Sequence, residues 1–125
     1  MSAASTLTNE IIGFIYKQGG YAWRANSVGV WDAKKNVHRA GAKKGVSDVL
    51  ACYRGVLVAL EVKIGADRLR PEQEGFLANV RHVGGKAFVA KTFEGFQETW
   101  RQEVAGISVL PEPGVVVFPE TGVIH

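Results

Sequence analysis

The chain has 125 residues, a net charge of +3 at neutral pH, and hydrophobic side chains at 46% of its positions. That length suits one domain burying roughly two thirds of its unfolded surface, and it leaves no room for a second core of ordinary size. There is no apolar run near the ~20 residues needed to span a bilayer and no basic segment followed by an apolar signal stretch, so a cytoplasmic protein without a membrane partner is expected.

In chain order, the first helix is expected to start near Ser5 or Thr8 as N-cap and to stop at Gly19-Gly20. Its apolar stripe is Leu7, Ile11, Phe14 and Ile15. Glu10 follows Leu7 by three residues and precedes Phe14 by four, which puts it on or beside that inward stripe, where a carboxylate needs a partner. The plainer reading of Glu10 is a helix-start carboxylate favoured by the macrodipole.

From Lys17 to Lys44 the basic residues Lys17, Arg24, Lys34, Lys35, Arg39, Lys43 and Lys44 face Asp32 alone, so this segment carries +6. Charge of that density suits a polyanionic partner. Around Ala33-Lys34-Lys35-Asn36 the chain reads as a loop or loose hairpin. Trp31 there is either core or interface, the commoner outcome, or a platform for an unpaired base. His38 has no spaced partner that would make it a metal ligand.

Val46–Tyr53 and Val56–Ile64 read as two strands joined by Arg54-Gly55, a turn short enough for antiparallel neighbours. On the second strand Val56, Val58, Leu60, Val62 and Ile64 share one face, and Leu57, Ala59, Glu61 and Lys63 the other. The hairpin is therefore expected to set Asp48 beside Glu61. Cys52, the single cysteine, falls in the first strand, where a buried inert thiol is expected.

Pro71 suits the first position of a second helix, with Glu72 and Glu74 in its first turn and Gly84-Gly85 at its end. Gln73 shares the buried side with Phe76 and Leu77, and a buried amide needs a partner. Holding Lys63 or a metal-bound water is one role; a border position facing solvent is the other. A strand over Lys86–Lys91 follows, then a closing helix with Phe93, Phe96, Trp100 and Val104 at helical spacing. Beyond Gly106 a Pro/Gly-rich tail contains a short apolar strand at 115–118, suited to pairing with a sheet edge or a second subunit. A Gly-rich phosphate loop is missing, which leaves nucleotide hydrolysis unsupported.

Two carboxylates set together repel, and desolvation penalises their charge, so Asp48 and Glu61 call for a cation. Oxygen-only ligands favour Mg²⁺ or Mn²⁺. Such a metal polarises a phosphate and lowers the pKa of an attacking water. Lys63, one strand repeat from Glu61, is placed to orient that water or to stabilise charge growing on the phosphate. An ordinary surface ion pair of Glu61 and Lys63 is the competing reading.

The ordered set Gly45-Val46-Ser47-Asp48, Glu61-Val62-Lys63 and Pro71-Glu72-Gln73 resembles the VRR-NUC family, a branch of the PD-(D/E)XK nuclease superfamily. The likeness spans roughly residues 8 to 104, including a strand with Trp23-Arg24-Ala25-Asn26, and is similar to the small stand-alone form found in phages and prophages. It implies an α/β fold, a single restriction-endonuclease-like domain with a central mixed β-sheet flanked by helices. It further implies a Mg²⁺- or Mn²⁺-dependent DNA endonuclease, with four-way (Holliday) junctions among its substrates. Asp48 and Glu61 become metal ligands with the backbone of Val62, Lys63 the catalytic lysine, and Glu10 and Gln73 supporting site residues. Arg24 and Asn26 become candidate DNA contacts alongside Lys34, Lys35, Arg39, Lys43 and Lys44. Ser47 stands where many relatives have proline. A homodimer is expected because symmetric incision of a junction needs two related sites. The alternative is a non-catalytic DNA-binding module that keeps the nuclease fold.

Overall fold

The computed structural model describes residues 2–26, 30–32, 37–39 and 44–107, with the backbone alone for 30–32 and 37–39. Lys34, Lys35, Lys43 and the expected strand at 115–118 lie outside the described residues.

The Ser2 hydroxyl accepts the Ser5 amide at 3.1 Å and caps the first helix, α1, which runs Ala3–Lys17. This cap sets the start earlier than Ser5 or Thr8 would. Four strands form one sheet: β1 (Tyr21–Arg24), β4 (Val49–Tyr53), β5 (Val56–Val62) and β6 (Lys86–Ala90), in the order β1-β4-β5-β6. The β1–β4 and β4–β5 pairs are antiparallel, and β6 runs parallel to β5, so the sheet is mixed. The remaining strands, β2 (Val30–Asp32) and β3 (Val37–Arg39), pair antiparallel as a separate two-stranded sheet. Helices α2 (Pro71–His82) and α3 (Phe93–Glu103) flank β6 in the chain. The result is a small α/β domain with a mixed four-stranded sheet and three helices among the described residues.

Strand alternation sorts the core into two layers. Val49, Ala51 and Tyr53 of β4 and Val58, Leu60 and Val62 of β5 pack with Leu7, Ile11 and Ile15 of α1 and with Phe96 and Trp100 of α3. Rings supply much of that layer: Phe14 meets Phe96 edge-on at 5.3 Å, and Tyr53 meets Trp100 at 5.0 Å. On the other face Ala59 and Ala87 receive Leu77 and Val80 of α2. β5 is thus buried on both sides, which is why its run from Val58 to Val62 is covered whether a side chain is apolar or not.

The hairpin between β4 and β5 turns on Arg54 and Gly55, with φ of 51° and 82°. Two successive left-handed residues make the turn whose twist matches antiparallel strands. β4 is shorter than the Val46–Tyr53 expected from the sequence: the Asp48 carbonyl still accepts the Ala25 amide at 3.0 Å, but the regular ladder begins only at Val49. The Ser47 hydroxyl donates to the Val49 carbonyl at 2.9 Å, and Asp48 lies in a bend. β5 ends at Val62 and not Ile64, although the Lys63 amide still donates to the Ala90 carbonyl at 3.0 Å. Cys52, expected to be buried, is exposed, because it points to the part of the sheet face that α2 leaves open.

Gly45 is held in a very close backbone approach. Its φ is +81°, and a Cβ there would lie 2.3 Å from the Glu72 carbonyl oxygen at the start of α2. Backbone on both sides cannot yield cheaply, so Gly45→Ala is expected to lower stability by about 3 kcal/mol in urea unfolding, from left-handed strain plus displacement of α2. A loss under ~0.5 kcal/mol would mean that the loop and helix separate freely.

Candidate metal centre at the ends of β4 and β5

The antiparallel register pairs Val49 with Leu60, so the next pair outward is Asp48 with Glu61. Opposed residues share a face. Both carboxylates therefore lie on the α2 side of the sheet, at the end where the ladder stops. Glu61 is 1% exposed, Gln73 3% and Lys63 6%, which is deep for charged and amide side chains.

Each carboxylate is held by a donor. Asp48 Oδ2 accepts the Val62 amide at 2.7 Å, and its Oδ1 accepts Asn26 Nδ2 at 3.1 Å. Glu61 Oε1 accepts Gln73 Nε2 at 3.1 Å. Gln73 in turn accepts the Arg70 amide at 2.9 Å through Oε1, tying it to the first turn of α2. The amide is fixed at both ends, so its orientation toward Glu61 is determined by the helix start.

Glu61 Oε2 is buried and receives no hydrogen bond from any described donor. Its close neighbour Asp48 is another acceptor and can partner Glu61 only when a proton lies between them. Burial, followed by that shared proton and the Asp48 charge, pushes the Glu61 carboxyl up from 4.5 to about 8; Lys63 and Arg70 pull it partly back. Lys63 Nζ stands 4.0 Å from Glu61 Oε1 and 3.8 Å from Asp67 Oδ2, a pair of loose ionic contacts that leave the ammonium able to engage a third group.

A cleft of about 290 Å³ opens over these groups. α1 contributes Ala4, Ser5 and Thr8, the β1 edge Arg24 and Asn26, and the β5–α2 segment Asp67, Arg70 and Gln73. A second cleft of about 640 Å³ adjoins it through Lys63 and Asp67 and reaches Arg68 and Lys91.

Asp48, Glu61, Val62, Lys63 and Gln73 are thus brought together. Gln73 partners Glu61 and not Lys63, since the helix start aims its amide at the strand interior. Glu10 departs from the expectation: it is exposed and borders a different cleft with Phe14, Phe93 and Gln97. The buried side of α1 centres on Leu7, Thr8, Ile11 and Ile15, which rotates Glu10 outward and brings Thr8 to the site. Asn26, expected as a DNA contact, donates to Asp48 and so positions a carboxylate. Arg24 lines the cleft while its guanidinium donates to Asn9 Oδ1 at 2.8 Å and the Ser5 carbonyl at 3.3 Å. Lys44 is exposed. Arg39 lies in β3, where the backbone alone is described.

Thr8, Asp67 and Arg70 reach the site without a clear signal in the sequence. Asp67 follows Lys63 by four residues, and Arg70 immediately precedes Pro71, but neither spacing says that the loop folds back over the strand end.

Among the described residues there is no group of three or more His, Cys, Asp or Glu suited to holding a metal. The donors present are the Asp48 and Glu61 carboxylates, with the Asp67 carboxylate farther along the cleft wall. Hard, oxygen-seeking divalent cations that retain several waters accept such a sparse set, whereas zinc prefers nitrogen and sulfur. The orphaned Glu61 oxygen fits a cation of that kind. No helix among the described residues is long and apolar enough to cross a membrane. Comparison with protein-family models and with curated proteins returns no match.

Proposed function

We propose that this protein is a Mg²⁺- or Mn²⁺-dependent DNA endonuclease with a PD-(D/E)XK fold of the VRR-NUC kind. The observation that carries the reading is Glu61 Oε2, a buried carboxylate oxygen without a donor, set against Asp48 and beside the Lys63 ammonium. Burying like charges together costs stability unless a cation joins them. A purely structural pair of Glu61 and Lys63 would be expected to close the 4.0 Å gap between them and to give that oxygen a donor.

Asp48 and Glu61, with the Val62 carbonyl, would hold the cation. When bound it supplies Lewis-acid polarisation of the phosphate and a lower pKa for an attacking water. The rest falls to the chain's own groups. The Val62 amide and Asn26 hold Asp48 in one orientation, and Gln73 does the same for Glu61, so neither carboxylate has to reorganise during reaction. Lys63 keeps a positive charge at the cleft, where negative charge grows on the phosphate oxygens. Arg24 and Arg70 at the rim, with Lys44 outside it, attract the polyanion.

Branched DNA, four-way junctions included, is the proposed substrate class, and two copies acting together would make paired incisions. The test is cleavage of labelled four-way junction and matching linear duplex with Mg²⁺, Mn²⁺ or EDTA. Cutting at least ~100-fold faster with metal than with EDTA is expected, in line with the size of metal and electrostatic contributions. Absence of cutting with every metal, with salt-sensitive binding intact, would leave a non-catalytic DNA-binding module.

A further inference from the structure

Beside the carboxylates, the sheet presents a shelf that no described helix covers. The registers Trp23↔Leu50↔Ala59↔Ala87 define one row across the α2 face of the sheet. The next row toward the site holds Ala25, Asp48 and Glu61; the next row away holds Tyr21, Cys52 and Leu57. Helix α2 covers the Ala59 and Ala87 end of this face. The β1 end stays open, with Trp23 40% exposed and Tyr21 62% exposed.

These rings are in mutual contact. Tyr16 meets Tyr21 at 6.0 Å, and Tyr21 meets Trp23 at 5.4 Å with their planes tilted 41°. Trp23 lies about 7 Å along the sheet and about 5 Å across from Asp48, by ordinary strand geometry. A chain passing through the cleft would meet these rings next.

The charge around the shelf points to the occupant. Segments 16–26 and 44–57, which carry it, contain exposed Lys17, Lys44 and Arg54, while Arg24 and Asp48, their single acidic residue, belong to the cleft. Exposed aromatics framed by cations suit a polyanion with flat faces, and they suit duplex DNA poorly because its bases are already stacked on one another. We infer that the Tyr16–Tyr21–Trp23 shelf stacks unpaired bases of a single-stranded DNA segment and thereby selects substrates with such a segment next to the cut. The inference rests on the nuclease reading for the identity of the neighbouring cleft, and its test does not require cleavage.

The experiment measures binding of a fluorescent oligo(dT) and of a linear duplex in EDTA for wild type, Trp23→Ala and Trp23→Phe, with unfolding curves to verify that each variant folds. Trp23→Ala should weaken oligo(dT) binding roughly 5- to 100-fold, the range for loss of one base–aromatic stack, and duplex binding less than about 2-fold, with Trp23→Phe restoring most of the loss. The Cys52 thiol, the chain's single cysteine and a neighbour of Tyr21 on the shelf, should react with a maleimide in the free protein and be protected by oligo(dT). Equal losses for both DNAs, no loss, or an unprotected Cys52 would overturn the inference. So would a change from dimer to monomer in Trp23→Ala on sedimentation, which would assign the shelf to a second copy of the chain. Metal-dependent cutting that survives any of these results would leave the nuclease reading standing.

Discussion

Replacing Lys63 by methionine is expected to lower the single-turnover cleavage rate by about 10³-fold while leaving oligonucleotide affinity in EDTA within about 3-fold of wild type. Methionine fills much of the volume of a side chain that is 6% exposed, so the core around the end of β5 keeps its packing. On the nuclease reading, what is lost is a positive charge near the point where the phosphate gains negative charge. Electrostatic groups of this kind are worth roughly 10²- to 10³-fold each. The Lys63 ammonium makes two loose contacts, to Glu61 and Asp67, and a purely structural lysine would reveal itself through stability. If Lys63→Met cuts within about 10-fold of wild type, or loses activity only in step with folding, Lys63 does not act on the reacting phosphate.

Glu61→Gln is expected to abolish cleavage and yet make the metal-free protein more stable at pH 8. The Glu61 carboxyl titrates near 8 in the folded chain against an ordinary value of 4.5, chiefly because it is buried beside Asp48. A raised folded value means that the native state keeps a proton which the unfolded chain releases. Its contribution to stability is therefore full below pH ~4.5, falls as pH rises toward 8, and levels off above that. A tenfold difference in proton affinity between the folded and unfolded chain corresponds to ~1.4 kcal/mol, and after allowance for relaxation of the site the loss should be on the order of 3 kcal/mol between pH 5 and 8. Glutamine carries no charge to bury and removes this slope. Urea unfolding at pH 5, 6.5 and 8 in EDTA should give similar stabilities at pH 5 and a widening advantage for Glu61→Gln as pH rises. Mg²⁺ or Mn²⁺ at pH 8 should stabilise wild type far more than the variant, because ligand binding to the native state shifts unfolding by mass action. A variant less stable than wild type at pH 8 would show that Glu61 is satisfied as an anion by the protein alone.

Much of this arrangement was legible because it is local or periodic. The hairpin over Val49–Val62 follows from alternation and from Arg54-Gly55, and once the turn length is set the register that opposes Asp48 to Glu61 is set with it. The α2 boundaries follow from Pro71 and the glycines after Val83, and the α3 stripe from Phe96 and Trp100 at helical spacing. In each case the information is carried by a few residues near one another in the chain. The mixed sheet flanked by helices, expected from the family resemblance, is the architecture observed.

Tertiary structure decided what faces what. The rotation of α1 about its axis depends on how Leu7, Thr8, Ile11 and Ile15 seat against the sheet, and a turn of that helix by one residue separates an inward Glu10 from the observed outward one. Gln73 meets Glu61 because α2 packs on the sheet face that carries Ala59 and Ala87, a contact between residues far apart in sequence. Cys52 became exposed because α2 covers only part of the sheet, and alternation tells which face a residue takes without telling what lies over that face. By itself the sequence determined the elements, the hairpin register and the paired carboxylates, since these depend on backbone geometry over short spans. The helix rotations, the cover over each sheet face and the unpartnered Glu61 oxygen arose only when distant surfaces packed together and excluded water from between them.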